Sequence, residues 1–265
     1  MAEHIDSDWG QAAPKGVFKY CLDQSRVHNS KTWSRLAGYF APQFADVETL
    51  DFKARLYPKD NLSEKRLLLS PGRFDPVELA YLSALLKPGF VFVDVGANCG
   101  AYTLHLAVQA PDDTFFFAIE AQPEMARRFR FNAAASAPKA TVALDEIALS
   151  DKRGTLEFHI NRHNRGESGL GSGGETIKVE ALTLADYVEM KGIQSIDAMK
   201  IDVEGFEHQI LAPFFETATE SRWPACLIVE QILASPETDP VALAISKGYR
   251  VRSDLGRNVI LVRDG

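Results

Sequence analysis

Cysteine is scarce: Cys21, Cys99 and Cys226 are the only three in 265 residues, odd in number and far apart. That scatter excludes a disulfide framework, lacks metal-ligand spacing, and points to a reducing compartment. Long hydrophobic runs are missing as well. No stretch reaches the roughly 18 apolar residues that a membrane-crossing helix needs. The opening Met1-Ala-Glu-His-Ile-Asp-Ser-Asp8 has neither the basic region nor the apolar region of a secretion signal. A cytoplasmic protein without a membrane partner is therefore expected. Positive charge is also short, with 29 Lys and Arg against 36 Asp and Glu and a net charge of −7. That balance leaves no electrostatic footprint for nucleic acid. What remains, 46% hydrophobic residues over this length, is enough to bury one sizeable α/β core with a small appendage.

The most informative stretch present is Val91-Phe-Val-Asp-Val-Gly-Ala-Asn-Cys-Gly100. An apolar β-branched run ends at Asp94, a glycine-bearing loop follows, and a helical pattern covers 101–109. Gly96 and Gly100 remove Cβ atoms that would keep a ligand from the backbone. The helix start offers unpaired N–H groups and partial positive charge, so the ligand end expected there is anionic. A second apolar run, 114–120, ends in Glu120, about twenty residues beyond the loop, where a carboxylate can accept both hydroxyls of a ribose. A dinucleotide fingerprint needs G-x-G-x-x-G, whereas Asn98 occupies the place of the middle glycine. The loop suits a small carboxylate better than a pyrophosphate, which favours S-adenosylmethionine over NAD.

Along the chain, residues 1–73 form an N-terminal extension without clear periodicity. Short helices are expected at 17–22 and 30–40 and a small β element at 67–69. The extension is open to three readings: a lid over the cofactor pocket, a dimerisation arm of a homodimer, or a packing extension. From residue 74 to 265 the pattern sharpens into one domain. Asp75-Pro-Val-Glu78 reads as a helix start with a capping box. Strands are expected at 91–95, 114–120, 141–144, 198–203 and 225–230, with helices between them. The arginines Arg127, Arg128 and Arg130 read as a solvated helix face. Residues 155–160 and 175–180 alternate as a hairpin inserted beside the substrate region, with a polar, glycine-rich and mobile 161–174 between them. The strands 249–253 and 258–263 close the chain as an antiparallel hairpin. The expected fold is α/β, a doubly wound, mostly parallel seven-stranded sheet with that C-terminal hairpin.

A second motif is Met199-Lys-Ile-Asp-Val-Glu-Gly-Phe-Glu207. It gathers Lys200, Asp202 and Glu204 at the carboxyl end of a core strand, where open α/β sheets bind ligands. Three charges there need a partner, a ligand or water, because burial alone is expensive.

With both motifs in hand, the chain resembles the FkbM family of S-adenosylmethionine-dependent methyltransferases. The resemblance rests on Val93-Asp-Val-Gly-Ala-Asn98, Ala118-Ile-Glu120 with Pro123 and Asn132, and Ala148-Leu-Ser-Asp151. It continues through Leu182-Thr-Leu-Ala-Asp186, Lys200 to Glu207, Val229-Glu230 and Gly248-Tyr249. It implies a class I methyltransferase fold and methylation of a hydroxyl on a sugar or natural-product small molecule. The expected cofactor contacts are Asp94, Gly96, Ala97, Asn98, Gly100 and Glu120, then Ala121 and Gln122, where the family often has Pro-Asn or a similar pair. By the geometry of that fold the adenine is expected against Ile147, with Asp145 or Glu146 accepting from its exocyclic amine.

Methyl transfer needs the acceptor oxygen held in line and a base for its proton. The catalytic candidates are Asp202 and Glu204, with Lys200 beside them; Glu230, His159 and His163 are weaker ones. No metal is assigned, although a divalent ion on Asp202, Glu204 and Glu230 is an alternative, since hard cations prefer oxygen. Two other classes stay open, a non-catalytic protein that binds the same cofactor and an NAD-dependent oxidoreductase.

Overall fold

In the computed structural model, which describes residues 8–161, 164–165, 168–169, 175–231 and 237–263, the chain opens with α1 (Gly16–His28) and α2 (Lys31–Phe40). Ser30 caps α2 by accepting from the Trp33 N–H. A hairpin follows, β1 (Ala45–Thr49) and β2 (Phe52–Leu56), turning through Leu50 and Asp51, both at positive φ. Such two-residue turns favour Asn-Gly or Asp-Gly, and Leu50-Asp51 sends no such signal. The hairpin is therefore absent from the sequence reading. The expected β element at 67–69 is instead the last turn of α3 (Leu62–Leu69), capped by the side chain of Asn61 on the Glu64 N–H.

Then come α4 (Pro76–Leu85), β3 (Val91–Val95), α5 (Ala101–Ala107), β4 (Phe115–Ile119), α6 (Pro123–Ser136) and β5 (Thr141–Asp145). A small sheet beside the main one holds β6 (Ala148–Leu149), β7 (Gly154–Ile160) and β8 (Glu175–Leu182), with β7 and β8 antiparallel as expected of the insert. Most of the predicted mobile stretch 161–174 lies outside the described residues. The chain ends with α7 (Leu184–Met190), β9 (Ala198–Ile201), α8 (Glu207–Thr217), β10 (Cys226–Glu230), α9 (Pro240–Ser246), β11 (Arg250–Asp254) and β12 (Asn258–Val262).

Seven strands form the main sheet in the order β11-β12-β10-β9-β3-β4-β5. The five from β10 to β5 are parallel, and β12 and β11 add antiparallel at one edge. This is the expected doubly wound, mostly parallel seven-stranded sheet with its C-terminal antiparallel hairpin. Strands buried on both faces read as near-continuous apolar runs. Here Phe92, Phe116 and Ile228 pack to one side, while Val93, Met199 and Val229 pack to the other. The N-terminal extension is not separate from that core: Phe18, Leu22, Leu56 and Leu68 share one apolar cluster with Phe90, Phe92 and Phe116. No helix among the described residues is long and apolar enough to cross a membrane.

Two expectations about charged residues fail. Asp75 is the N-cap of α4 and Pro76 its first residue, as expected, but the capping box does not form: Asp75 accepts from the Tyr102 hydroxyl at 2.9 Å, and Glu78 accepts from Asn258 at 2.7 Å. With its φ at 41°, Asp75 lies outside the extended region that N-cap residues usually adopt. Arg128 is not on a solvated face. It is buried, donates to Asp60 and Glu124, contacts Glu64, and lies over the Tyr57 ring at 3.8 Å. Asp60, Glu64 and Tyr57 belong to the N-terminal extension, whose packing on α6 a local helix pattern cannot reveal.

Candidate functional site

The loop after β3 is held by its own chain. Gly96 and Ala97 donate to the Ile119 carbonyl, Gly100 to Ala97, Cys99 to the Asn98 side chain, and Asn98 to Glu120 Oε2 at 2.8 Å. The N–H groups of residues 96–100 are thus taken within the protein, ahead of the α5 start where the anionic ligand end is expected. The glycines also answer to packing. A Cβ on Gly96, whose φ is +79°, would lie 2.0 Å from the Asp202 carbonyl oxygen, and one on Gly100 would lie 2.8 Å from the Phe129 ring. Protein contacts alone account for both glycines. Asn98 sits at φ 53°, where asparagine is among the few tolerated non-glycine residues. Its Oδ1 also accepts from Asn61 at 2.9 Å, which ties the α3 cap to this loop.

Asp94, one residue before the end of β3, is buried and accepts from Thr103 at 2.6 Å, fixing the start of α5. Burial raises its pKa, against the pull of Lys200. Glu120 follows β4 and is also buried. Its two oxygens accept from Asn98 and Gln122 N–H groups, while burial pushes its pKa up to about 7. A carboxylate has about four lone-pair positions, so two donors leave it able to accept more. It opens on a narrow slot of about 70 Å³ whose apolar walls include Ile119, Ala121, Met125, Ile147 and Phe158.

The turn after β9 is built to expose carboxylates. Asp202 N–H continues the ladder to Val95 O, and Glu204 takes a left-handed φ of 54° before Gly205. Glu207 Oε1 accepts from the Val203 and Gly205 N–H groups and holds the turn. Buried Lys200 donates to Asp202 at 2.7 Å. Burial works against both charges. The ion pair outweighs it, so the Asp202 pKa is lowered and that of Lys200 raised, with Asp94 adding to the latter. Glu230, at the end of β10, is 1% exposed; it contacts Arg257, and burial with the nearby charge of Asp202 pushes it up to about 8. Arg257 also lies 3.9 Å from Glu204. Carboxylate oxygens of Asp202, Glu204 and Glu230 lie within 4.8 Å of one another, a set with the spacing to hold a cation among the described residues.

A larger cleft of about 910 Å³ opens beside the slot. Asp94, Ala97, Cys99 and Lys200 line it from the sheet, and α2 and α3 line it from the N-terminal extension. Gly96, Asn98, Asp202 and Glu204 line both cavities.

Most expected site residues therefore converge. Glu146 does not: it pairs with Arg130 at the surface and lines neither cavity. Asp145 accepts from Tyr187 at 2.8 Å and Lys191 at 2.7 Å and also lines neither cavity, so neither carboxylate borders the slot where the adenine is expected. Gln122 turns away, donating to Arg165 O and Ser168. His159 meets Thr176 and lines neither cavity, and His163 lies outside the described residues. The sequence reading missed Asn61, Tyr102 and Arg257, which reach the site from a charged run, the first turn of α5 and a hairpin turn. None of those settings carries a local signal.

Comparison with known proteins matches the family described as the Methyltransferase FkbM domain over residues 94–251. The 2-O-methyltransferase NoeI of Sinorhizobium fredii is 28% identical over 160 residues, covering 54% of this chain and 64% of its own. The 31-O-demethyl-FK506 methyltransferase FkbM of Streptomyces tacrolimicus is 29% identical over 181 residues, covering 56% and 66%. The matches thus span just under two thirds of each relative. Among solved structures, a precorrin-6y C5,15-methyltransferase from Geobacter metallireducens is similar with a TM-score of 0.47 and 13% identity, over 75% of this chain and 91% of that one.

Proposed function

Because this chain belongs to the Methyltransferase FkbM domain family, we propose that it moves a methyl group from S-adenosylmethionine to a hydroxyl oxygen of a sugar or natural-product small molecule. The observation that carries this reading is the junction of slot and cleft at Gly96, Asn98, Asp202 and Glu204. A two-substrate transfer needs two cavities that meet at the reacting atoms. Both relatives are named for methylation at oxygen, which supports a hydroxyl as acceptor.

The residues fit the cofactor. Glu120 has acceptor capacity to spare beside apolar walls suited to a purine, and the insert residues Arg165, Ser168 and Gly169 border the same slot. When bound, S-adenosylmethionine supplies an electrophilic methyl on a cationic sulfonium. Lys200 keeps Asp202 ionised and aimed at the junction. Asp202 and Glu204 stand where the acceptor hydroxyl must enter and receive its proton, a role worth roughly 10²–10⁴-fold in rate. Asp94 counters the buried Lys200 charge from below.

Labelled S-adenosylmethionine offered with glycosides, polyols and phenols tests the reading. Label transfer is expected, and calorimetry should show Glu120→Ala weakening cofactor affinity by about 1.5–3 kcal/mol for lost hydrogen bonds to a charged group. A melting temperature raised by NADH and not by S-adenosylmethionine would overturn it. Binding without turnover on any acceptor would leave only the non-catalytic reading.

A further inference from the structure

The cleft is lopsided in charge. Its inner end carries Asp75, Asp94, Asp202 and Glu204, with Lys200 and Arg257 paired among them, whereas its outer wall carries the cations Lys31, Arg35, Lys65, Arg66 and Arg73. The outer wall is made by two helix stripes. On α2, Lys31, Ser34, Arg35 and Gly38 line the cleft, and on α3 Leu62, Lys65, Arg66 and Leu69 do, with Tyr39 and Ser63 beside them. Both sets follow the i, i+3, i+4, i+7 spacing of a single helix face. The two helices are in contact, since a Cβ on Gly38 would meet Leu69 at 3.4 Å and Lys65 at 3.8 Å.

Lys31, Arg35, Lys65 and Arg66 have no ion pair among the described residues, although Asp and Glu outnumber Lys and Arg by 36 to 29 in the chain. An acidic protein has carboxylates to spare for its exposed cations. It leaves these four facing one concavity, whose low-dielectric walls focus their field. Tyr39 stands on the same wall, 83% exposed, and offers an aromatic face to a ring.

We propose that the outer wall is an anion-binding subsite for the acceptor, which is a hydroxylated small molecule carrying a phosphate, sulfate or carboxylate. The anion docks on Arg35, Arg66 and their basic neighbours, and the hydroxyl to be methylated then points inward to Asp202 and Glu204. This assignment rests on the methyl-transfer reading for the inner end of the cleft, but its anion site is separately measurable. It also gives the N-terminal extension a role in choosing the substrate.

The test uses the full chain loaded with S-adenosylhomocysteine and inorganic tripolyphosphate as a probe of charge alone. Calorimetry should show tripolyphosphate binding that weakens with salt and falls at least tenfold in Arg35→Glu/Arg66→Glu. Lys247→Glu, a reversal remote from the cleft, should leave it unchanged. Unaltered S-adenosylmethionine affinity in the double variant shows that it folds. In the turnover arm, glucose 6-phosphate and glucuronate are set against glucose, and hydroxybenzoate against phenol. The anionic members should lead at least tenfold in kcat/KM, mainly through KM, and the double reversal should erase that lead.

No tripolyphosphate binding, or equal binding by wild type and double variant, overturns the anion site. Faster turnover of the neutral members overturns it too. A ten-nucleotide RNA bound more tightly than tripolyphosphate overturns the small-molecule assignment. If tripolyphosphate binds as expected but no compound is methylated, the anion site is supported and the methyl-transfer reading is what fails.

Discussion

Two knots of buried charge can be set side by side. Around Arg128, Asp60, Glu64 and Glu124 come together where the N-terminal extension meets α6. Around Lys200, Asp202, Glu204 and Glu230 come together with Arg257 at the ends of β9 and β10. Each has a buried cation and three carboxylates, and in each burial pushes one glutamate up to about 8, Glu64 in the first and Glu230 in the second. The difference is access. None of Arg128, Asp60, Glu64 or Glu124 lines the slot or the cleft, whereas Asp202 and Glu204 line both. Buried charge alone therefore does not tell the two knots apart; the bordering of two cavities does.

The sharpest test exchanges charge for shape. Asp202→Asn or Glu204→Gln should cut the single-turnover rate roughly 10²–10⁴-fold, with cofactor affinity little changed; the melting temperature should hold in Glu204→Gln and fall in Asp202→Asn, which leaves buried Lys200 without its partner. A lower melting temperature with normal rate per folded molecule would make this knot structural, like the other. If a chelator abolishes the wild-type rate and magnesium restores it, both carboxylates become metal ligands instead. Arg128→Met should show the opposite pattern, losing about 3–5 kcal/mol of stability, as expected when one partner of a buried pair is removed. Denaturant unfolding and rate per folded molecule on the same sample check it; a rate loss without unfolding would break the contrast.

The smallest expected effect is on pH. Glu120 and Glu230 have folded-state pKa values raised by burial to about 7 and about 8. Between the unfolded value near 4.5 and those values the folded state holds more protons than the unfolded one. Each group's favourable contribution is thus complete below the unfolded value and is lost as pH rises through the folded one. Unliganded protein should melt lower at about pH 8 than at about pH 5.5. Glu120→Gln should flatten that slope by no more than about 3 kcal/mol, since a tenfold change in proton affinity corresponds to about 1.4 kcal/mol. A slope unchanged in that variant would remove Glu120 from the account.

The parallel sheet was legible because its strands are buried on both faces and read as apolar runs bounded by glycine turns. The strand-end site was legible for the same reason: Asp94, Glu120 and Asp202 are the charges that interrupt those runs. What could not be read depends on contacts between distant segments. Gly96 and Gly100 stand out in the sequence, but their close approach to the Asp202 backbone and the Phe129 ring does not. Arg128 shows the same blindness, since its partners Asp60 and Glu64 are more than sixty residues away. The β1–β2 turn lacks glycine, and the outer wall of the cleft comes from two helices whose relative placement no local pattern encodes.

The fit of Gly96 against the Asp202 carbonyl bears on how such proteins can be recombined. The two strand-end loops are about 100 positions apart in the chain, yet a single methyl group at residue 96 would collide with the second loop at 2.0 Å. A chimera that takes residues 91–100 from one homologue and 198–207 from another joins two backbones shaped in different company. The working unit of exchange is both loops together, and a library shuffled with a crossover between them should be poor in folded members unless residue 96 stays glycine and the turn after β9 keeps its path.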